Sequence, residues 1–434
     1  MKQEKNILMV AYLFPPLGGS GALRPVKLAK YLPEFGWKPI ILTPNKADYY
    51  YANDPELLKE LPSEIKIKRS KMLKAAWIYR FFNPFRLRRI DKIIKKIFLH
   101  PDEQIGWIPF AFFSGMNMIR KHNIDAIYST SGPLSSHLIA LLIKKRTGLT
   151  WIAEFRDEWF EDPRLDFVTS FHKRLHYRLE KMIINNADRI VTMAPVFARL
   201  LSKHNGNSHK FFTITAGYDP KDFTDDSSSW YKEENMQKFV TVFNGVFYDT
   251  FKPISFLQAI EELIDEGEIS QEEVCIEFVG PNTANDIGTK DKHGICKFIG
   301  FVPRKKAIQC LSRADVLLLL LSRERGKDVI PSKIFEYMAS GKPILSLIPK
   351  DGDSASIIKK TNTGIVADFD DVNEIKDAYL ALYQRWKKQD LPWKTNWKEV
   401  EKFDQKNLTS QFADILNQGV HSSKCLMTQE KTKK

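Results

Sequence analysis

Short apolar runs alternate along this chain with longer stretches in which apolar residues recur every three or four positions. Ile7-Leu-Met-Val-Ala-Tyr12 is the first run; Leu23, Val26, Leu28, Ala29 and Leu32 then fall at helical spacing, and Pro39-Ile-Ile-Leu-Thr43 is the next run. A run of five or six apolar residues suits a strand buried on both faces, and the periodic stretch suits an amphipathic helix. Strand, helix, strand is a βαβ unit, which calls for parallel strands. The pattern repeats, with strands predicted at 124–129, 150–155, 189–193 and 211–215 and helices at 135–145 and 170–186.

Residues 221–236 break the alternation with a polar stretch, Asp225-Asp-Ser-Ser-Ser-Trp230, that reads as a linker. Beyond it the alternation resumes, with strands predicted at 239–245, 275–279, 296–299, 316–321 and 343–347. The predicted fold class is therefore α/β, with two Rossmann-like domains. The first spans 1–220 and the second 237–396; a helix at 397–418 is expected to pack back on the first domain. The polar, lysine-rich 419–434 is expected to be a disordered tail. The two halves share a topology without sharing a sequence repeat.

At 434 residues, 43% hydrophobic and 27% charged, the chain has the balance of a globular protein with room for two cores. No apolar run approaches the roughly 20 residues that span a bilayer. The opening Met1-Lys-Gln-Glu-Lys5 leads straight into a strand rather than a signal peptide, so a cytoplasmic location is expected. Cys275, Cys296, Cys310 and Cys425 show no metal-ligand spacing, and the first three read as core residues.

A formal net charge of +13 points to an anionic partner without choosing among nucleic acid, phospholipid and a phosphorylated substrate. Between Lys66 and Lys96 there are twelve Lys or Arg residues and a single acid, Asp91. Leu87, Ile90, Ile93, Ile94, Ile97 and Phe98 recur there at helical spacing, with Trp77, Tyr79, Phe81 and Phe82 upstream. A basic, aromatic-flanked helix of this kind suits an anionic membrane surface; the same pattern also suits a helix whose apolar stripe joins the core.

Two segments have the composition of anion sites. Gly18-Gly-Ser-Gly21 sits between a strand and a helix, where glycines let backbone amides approach a phosphate or sugar. It is neither a P-loop nor a GxGxxG fingerprint, so alone it is a weak signal beside the plain reading of a tight turn. Val329-Ile-Pro-Ser-Lys-Ile-Phe-Glu-Tyr-Met-Ala-Ser-Gly341 is more specific. Pro331 suits the first turn of a helix and Gly341 its end. Amides around Ser332, Lys333 and Ile334 would face a diphosphate, and Glu336, one turn in, offers acceptors for ribose hydroxyls. Asp368-Phe-Asp-Asp371 has the look of a metal motif, but its place before a helix fits a helix-terminus charge effect, and no metal is expected.

These residues resemble the retaining GT-B glycosyltransferases of the GT4 type, in particular a bacterial surface-polysaccharide subgroup. The resemblance covers nearly the whole chain. Tyr12-Leu-Phe-Pro-Pro-Leu-Gly-Gly-Ser-Gly-Ala-Leu-Arg24 looks like the family's opening loop, and Trp151-Ile-Ala-Glu-Phe-Arg-Asp-Glu-Trp159 like a segment of that subgroup. Thr215-Ala-Gly-Tyr-Asp-Pro-Lys-Asp-Phe223 resembles the crossing between domains, and Gly300-Phe-Val-Pro303 the turn beside the nucleobase.

The resemblance implies two Rossmann-like domains facing each other across a cleft, and transfer of a sugar from a nucleoside diphosphate to a glycan or polyprenyl-diphosphate-linked acceptor, with retention and without a metal. It implies the base near Phe301 and Val302, the ribose on Glu336, and the diphosphate near Gly19, Gly245, Lys252 and Ser332. Asp157 or Arg156 would face the reacting centre, with His137 on a nearby helix. It also implies peripheral contact with the inner face of the cell membrane, no nucleic-acid partner, and a place in capsule or lipopolysaccharide synthesis. The chain departs from the family at two positions. Asp328 stands where the first of two spaced glutamates is common, and Val246 stands where an arginine is common. Arg24, Arg323 and Arg325 are candidates to supply the missing positive charge. A nucleotide-sugar epimerase or hydrolase of the same fold, or a non-catalytic scaffold of a glycan-assembly complex, fits the same residues.

Overall fold

A computed structural model of the chain describes residues 4–45, 53–74, 97, 99–157, 159–160, 165, 167, 169–203, 208–223, 238–247, 252–288, 291–321, 327, 329–390 and 393–432. The chain divides into two compact units, Met1–Thr215 with Leu408–Lys434, and Ala216–Asn407.

The first unit is a seven-stranded sheet in the order β3-β2-β1-β4-β5-β6-β7, with every neighbour parallel. The strands are β1 (Lys5–Val10), β2 (Trp37–Pro44), β3 (Lys66–Ser70), β4 (Ile124–Thr130), β5 (Thr150–Phe155), β6 (Arg189–Thr192) and β7 (Phe211–Thr213). Helix α1 (Ser20–Tyr31) follows β1 and buries Val26, Leu28 and Ala29, the residues that marked it as amphipathic. Because helices cover both faces, β1 and β5 are buried through most of their length, which explains their continuous apolar sequences.

The second unit is a six-stranded parallel sheet in the order β10-β9-β8-β11-β12-β13. Its strands are β8 (Phe239–Asn244), β9 (Val274–Val279), β10 (Cys296–Gly300), β11 (Val316–Leu320), β12 (Ile344–Leu347) and β13 (Gly364–Ala367). In both units the strand order reverses beside the first strand, at β1/β4 and at β8/β11. That reversal opens a crevice at the carboxyl ends of the strands, where ligands bind in open α/β sheets.

The sequence reading omitted β3 and β13. Strand β3 is an edge strand of sequence Lys-Ile-Lys-Arg-Ser, with Lys66 and Lys68 exposed. Lysines on an edge strand discourage pairing with another chain, so the first part of the basic run has a structural role. The amphipathic stretch expected there lies outside the described residues at 75–96 and at Phe98, and only Ile97 of it is described. No helix among the described residues is long and apolar enough to cross a membrane.

Three boundaries differ from expectation. The first unit ends at Thr215 rather than 220, and Pro220–Phe223 is a 3-10 turn of the second. The return to the first unit begins at Leu408 rather than 397, because Trp397–Val400 stays in the second unit. There Val400 is fully buried, and a Cβ on Gly341 would lie 3.4 Å from the Trp397 ring. The final helix, Gln405–Thr432, runs through the segment expected to be disordered. Leu408, Phe412, Ile415, Leu416 and Val420 bury one stripe of it in the first core, and no proline interrupts the residues beyond.

Candidate functional site

The carboxyl end of β8 carries the most chemistry in the second unit. Gly245 follows β8 at φ +151°, and a Cβ there would lie 2.7 Å from Lys333 Nζ, so glycine is what lets the ammonium approach the backbone. The Lys333 ammonium also stands 4.1 Å from the centre of the Phe243 ring, a cation–π contact. Burial pulls Lys333 down to about 8, against the opposing pull of Glu336. The loop beyond Gly245 is pinned by Asn282, whose Oδ1 accepts from Phe247 N at 2.8 Å while its Nδ2 donates to Gly245 O at 2.8 Å.

Lys333 opens a short helix, α2 (Lys333–Ala339), and Glu336 lies on the same face one turn later. Tyr337, fully buried, accepts from Asn244 N at 2.8 Å and ties this helix to the end of β8. Gly341 terminates it at φ +72°, as its sequence position suggested. Contrary to the sequence reading, the amides near Ser332 are not all free. The helix starts two residues after Pro331, and Ile334 N already donates to Pro331 O at 3.1 Å, a tight 3-10 turn that uses one of the three amides expected to face a diphosphate.

Glu336 Oε1 pairs with Nη1 of Arg304, and Nη2 of Arg304 donates to Asp222 Oδ2 at 2.6 Å. Arg304 directly follows the turn Gly300 to Pro303, in which Phe301 is 58% exposed and Val302 packs partly into the core. Burial alone would lower the guanidinium, but Glu336 and Asp222 together hold it well above its ordinary range. Neither Arg304 nor Asp222 was singled out from sequence. An arginine after a turn carries no signal of its own, and its partners stand 32 and 82 residues away.

The other expected residues of this unit are less placed. Lys252 is half-buried, and its charge helps lower the Asp286 carboxyl, which Thr283 lowers most by hydrogen bonding. Asp328, Arg323 and Arg325 lie outside the described residues. Asp371 caps the helix Val372–Lys387 by accepting from Glu374 N, the helix-terminus role expected of that acidic run.

The first unit brings the glycine loop together with Arg156. Gly18 is buried, Gly19 precedes α1 at φ +81°, and Ser20 starts the helix. A Cβ on Gly21 would lie 2.3 Å from Leu13 Cδ1. Arg156 donates to Gly21 O at 2.7 Å, to Ser131 O at 2.8 Å and to Gly132 O at 3.4 Å. Its guanidinium therefore fastens the start of α1 to the loop after β4, with Asp157 exposed beside it.

Arg24 is not available as the missing cation. It is 5% exposed, pairs with the fully buried Glu154 at 2.9 Å, and donates to Thr215 O at 3.1 Å. Glu154 also accepts from Tyr128 and Thr130 hydroxyls, so four groups form a buried polar network beneath the loop. His137 belongs to the core as well. Burial, with Arg156 nearby, lowers it to about 3, and its Nδ1 meets Ser129 Oγ at 2.8 Å.

Comparison with known proteins adds to this geometry. A profile described as a glycosyl transferase 4-like domain matches residues 24–217, and one described as glycosyl transferases group 1 matches 238–385. The probable glycosyltransferase WbjE of Pseudomonas aeruginosa is 22% identical over 263 residues, which cover 56% of this chain and 62% of that protein. Among solved structures, Anabaena Alr3699/HepE in complex with UDP and glucose superposes with a TM-score of 0.63 at 12% identity, covering 96% of this chain and 100% of the other. Sucrose-phosphate synthase from Thermosynechococcus elongatus gives 0.66 at 13% identity, covering 96% and 99%. At such identities the structures speak for the fold alone.

Proposed function

This chain belongs to the GT4-type glycosyltransferases of the GT-B fold, and on that premise we propose that it moves a sugar from a nucleoside diphosphate to a glycan or lipid-linked acceptor in cell-surface polysaccharide synthesis. The observation that carries the proposal is the pairing of Lys333 and Glu336 on one helical face at the β8/β11 crevice, with Gly245 admitting the ammonium.

Each group has a role in that reaction. The leaving diphosphate gathers negative charge as the glycosidic bond breaks, and a preoriented cation there favours the transition state over the ground state. Lys333 takes the part of the cation absent at Val246, with Lys252 as the second positive charge. Glu336 accepts from the ribose hydroxyls, and the exposed Phe301 ring offers a surface for the base. Retention follows from the family resemblance, with the departing phosphate rather than a protein nucleophile assisting attack on the same face. Asp157, exposed at the end of β5, would orient the acceptor hydroxyl.

A uridine nucleotide is the first donor to test, since Anabaena Alr3699/HepE was solved with UDP and with UDP-glucose. The basic, aromatic-flanked sequence beyond the edge strand β3, 71–96, supports contact with an anionic membrane bearing a polyprenyl-diphosphate acceptor. The test is thermal unfolding of the full chain with UDP-, GDP- and ADP-sugars and with a CMP-sugar, for wild type and Glu336→Ala. A donor at about 100 times its Kd adds roughly 2.7 kcal/mol of stability. One nucleotide should shift the wild type and leave the variant nearly unmoved. No shift with any of them would move the non-catalytic scaffold into first place.

A further inference from the structure

We propose that Arg304 is a positioning residue for the donor: it holds the Glu336 carboxylate in the orientation that reads ribose hydroxyls, and Asp222 in turn holds Arg304. This rests on the donor-site reading above and adds two residues to it.

The geometry is a relay of three side chains within the second unit. Arg304 reaches Glu336 through Nη1 and Asp222 through Nη2, so the two ends of one planar guanidinium fix two carboxylates. All three side chains are 15–17% exposed, which removes most of the competing water while leaving an edge open to a ligand. Only Oε1 of Glu336 is taken by Arg304; Oε2 has no hydrogen-bond partner among the described residues. A glutamate held by one oxygen presents the other as a fixed acceptor, and its ordering cost is met before the ligand arrives.

Position strengthens the case. Arg304 starts its helix immediately after the turn that carries Phe301, and Glu336 shares a helical face with Lys333. The guanidinium therefore links the turn expected beside the base to the carboxylate expected beside the ribose. Asp222 comes from Pro220–Phe223, near the start of the second unit, so a third segment of chain sets the same orientation. Lysine cannot reproduce this link, because its single ammonium lacks the two-pronged planar geometry.

A purely structural role for Arg304 predicts something different from a positioning role, and nucleotides lacking ribose hydroxyls separate them. Binding of UDP, GDP and ADP is measured by calorimetry against their 2′,3′-dideoxy counterparts, for wild type, Arg304→Met, Arg304→Lys and Asp222→Asn. For the nucleotide that binds, the wild type should prefer the ribose form by about tenfold or more, some 1.4 kcal/mol for each factor of ten. Arg304→Met and Arg304→Lys should bring that ratio close to one while the dideoxy affinity stays within about threefold; Asp222→Asn should fall between. Should Arg304→Met fail to fold, Arg304→Lys and Asp222→Asn carry the comparison. Equal loss for both forms would assign Arg304 to the fold alone and overturn the proposal, as would a ratio unchanged in every variant. Wild type that binds none of the nucleotides would overturn the donor site itself, an outcome distinct from the other two.

Discussion

Lys333→Met is expected to lower kcat/KM for sugar transfer by about 10²–10³, the usual cost of removing one preoriented charge-stabilising group. Methionine keeps most of the apolar stem but loses the ammonium, and with it both the cation–π contact with Phe243 and the charge offered to the diphosphate. The pH profile gives a sharper check. Burial, partly opposed by Glu336, sets the free lysine at about 8. The ammonium is therefore present below that value and lost as pH rises through it. Donor affinity in the wild type should hold below pH 8 and weaken above it, by up to about tenfold per pH unit. In Lys333→Met the same region should be flat. A variant that loses activity yet keeps the wild-type fall in affinity above pH 8 would remove Lys333 from the diphosphate site.

The second large effect concerns stability. Arg24→Met leaves the carboxylate of Glu154 fully buried without its cation, and breaking such a pair costs about 3–5 kcal/mol. That is a large part of the roughly 5–15 kcal/mol that holds a folded protein together. Urea unfolding of the full chain, followed by tryptophan fluorescence, should show the loss. Adding Glu154→Gln should restore more than half of it, because glutamine removes the stranded charge yet still offers Tyr128 and Thr130 an acceptor. If Arg24→Met alone unfolds within about 1 kcal/mol of the wild type, the network has been assigned too much weight.

Both predictions turn on where cations sit, and the sequence treated them unevenly. Arg24, Arg156 and Lys333 each stand in a segment that resembles a ligand loop. In the structure, Arg24 is sealed against Glu154 and Arg156 is taken by three backbone carbonyls, whereas Lys333 is brought to the end of β8. Linear position cannot separate these fates. The side chains depart from comparable loops, and what differs is which distant carboxylate or carbonyl the fold places opposite each one.

Much of the architecture was legible because it is written in local chemistry. Thr150–Phe155 and Ser170–Asn186 appear where the apolar run and the helical period put them, and Gly341 ends its helix at positive φ. Strand and helix periods reflect burial of near neighbours, so a few residues suffice to reveal them. The charged edge strand Lys66–Ser70 escaped notice because a sheet edge does not require an apolar run.

By itself, then, the sequence determined two parallel α/β units, the approximate strand and helix positions, and a Pro331 to Gly341 segment whose helix ends at Gly341. Tertiary structure alone decided the partnerships: Arg24 with Glu154 across 130 residues, Arg304 with Asp222 and Glu336, and Lys333 against Gly245. Periodicity fixes which face of an element is buried. The pairing of charges depends on which elements the sheet order sets side by side, and that order is settled only when the whole chain packs.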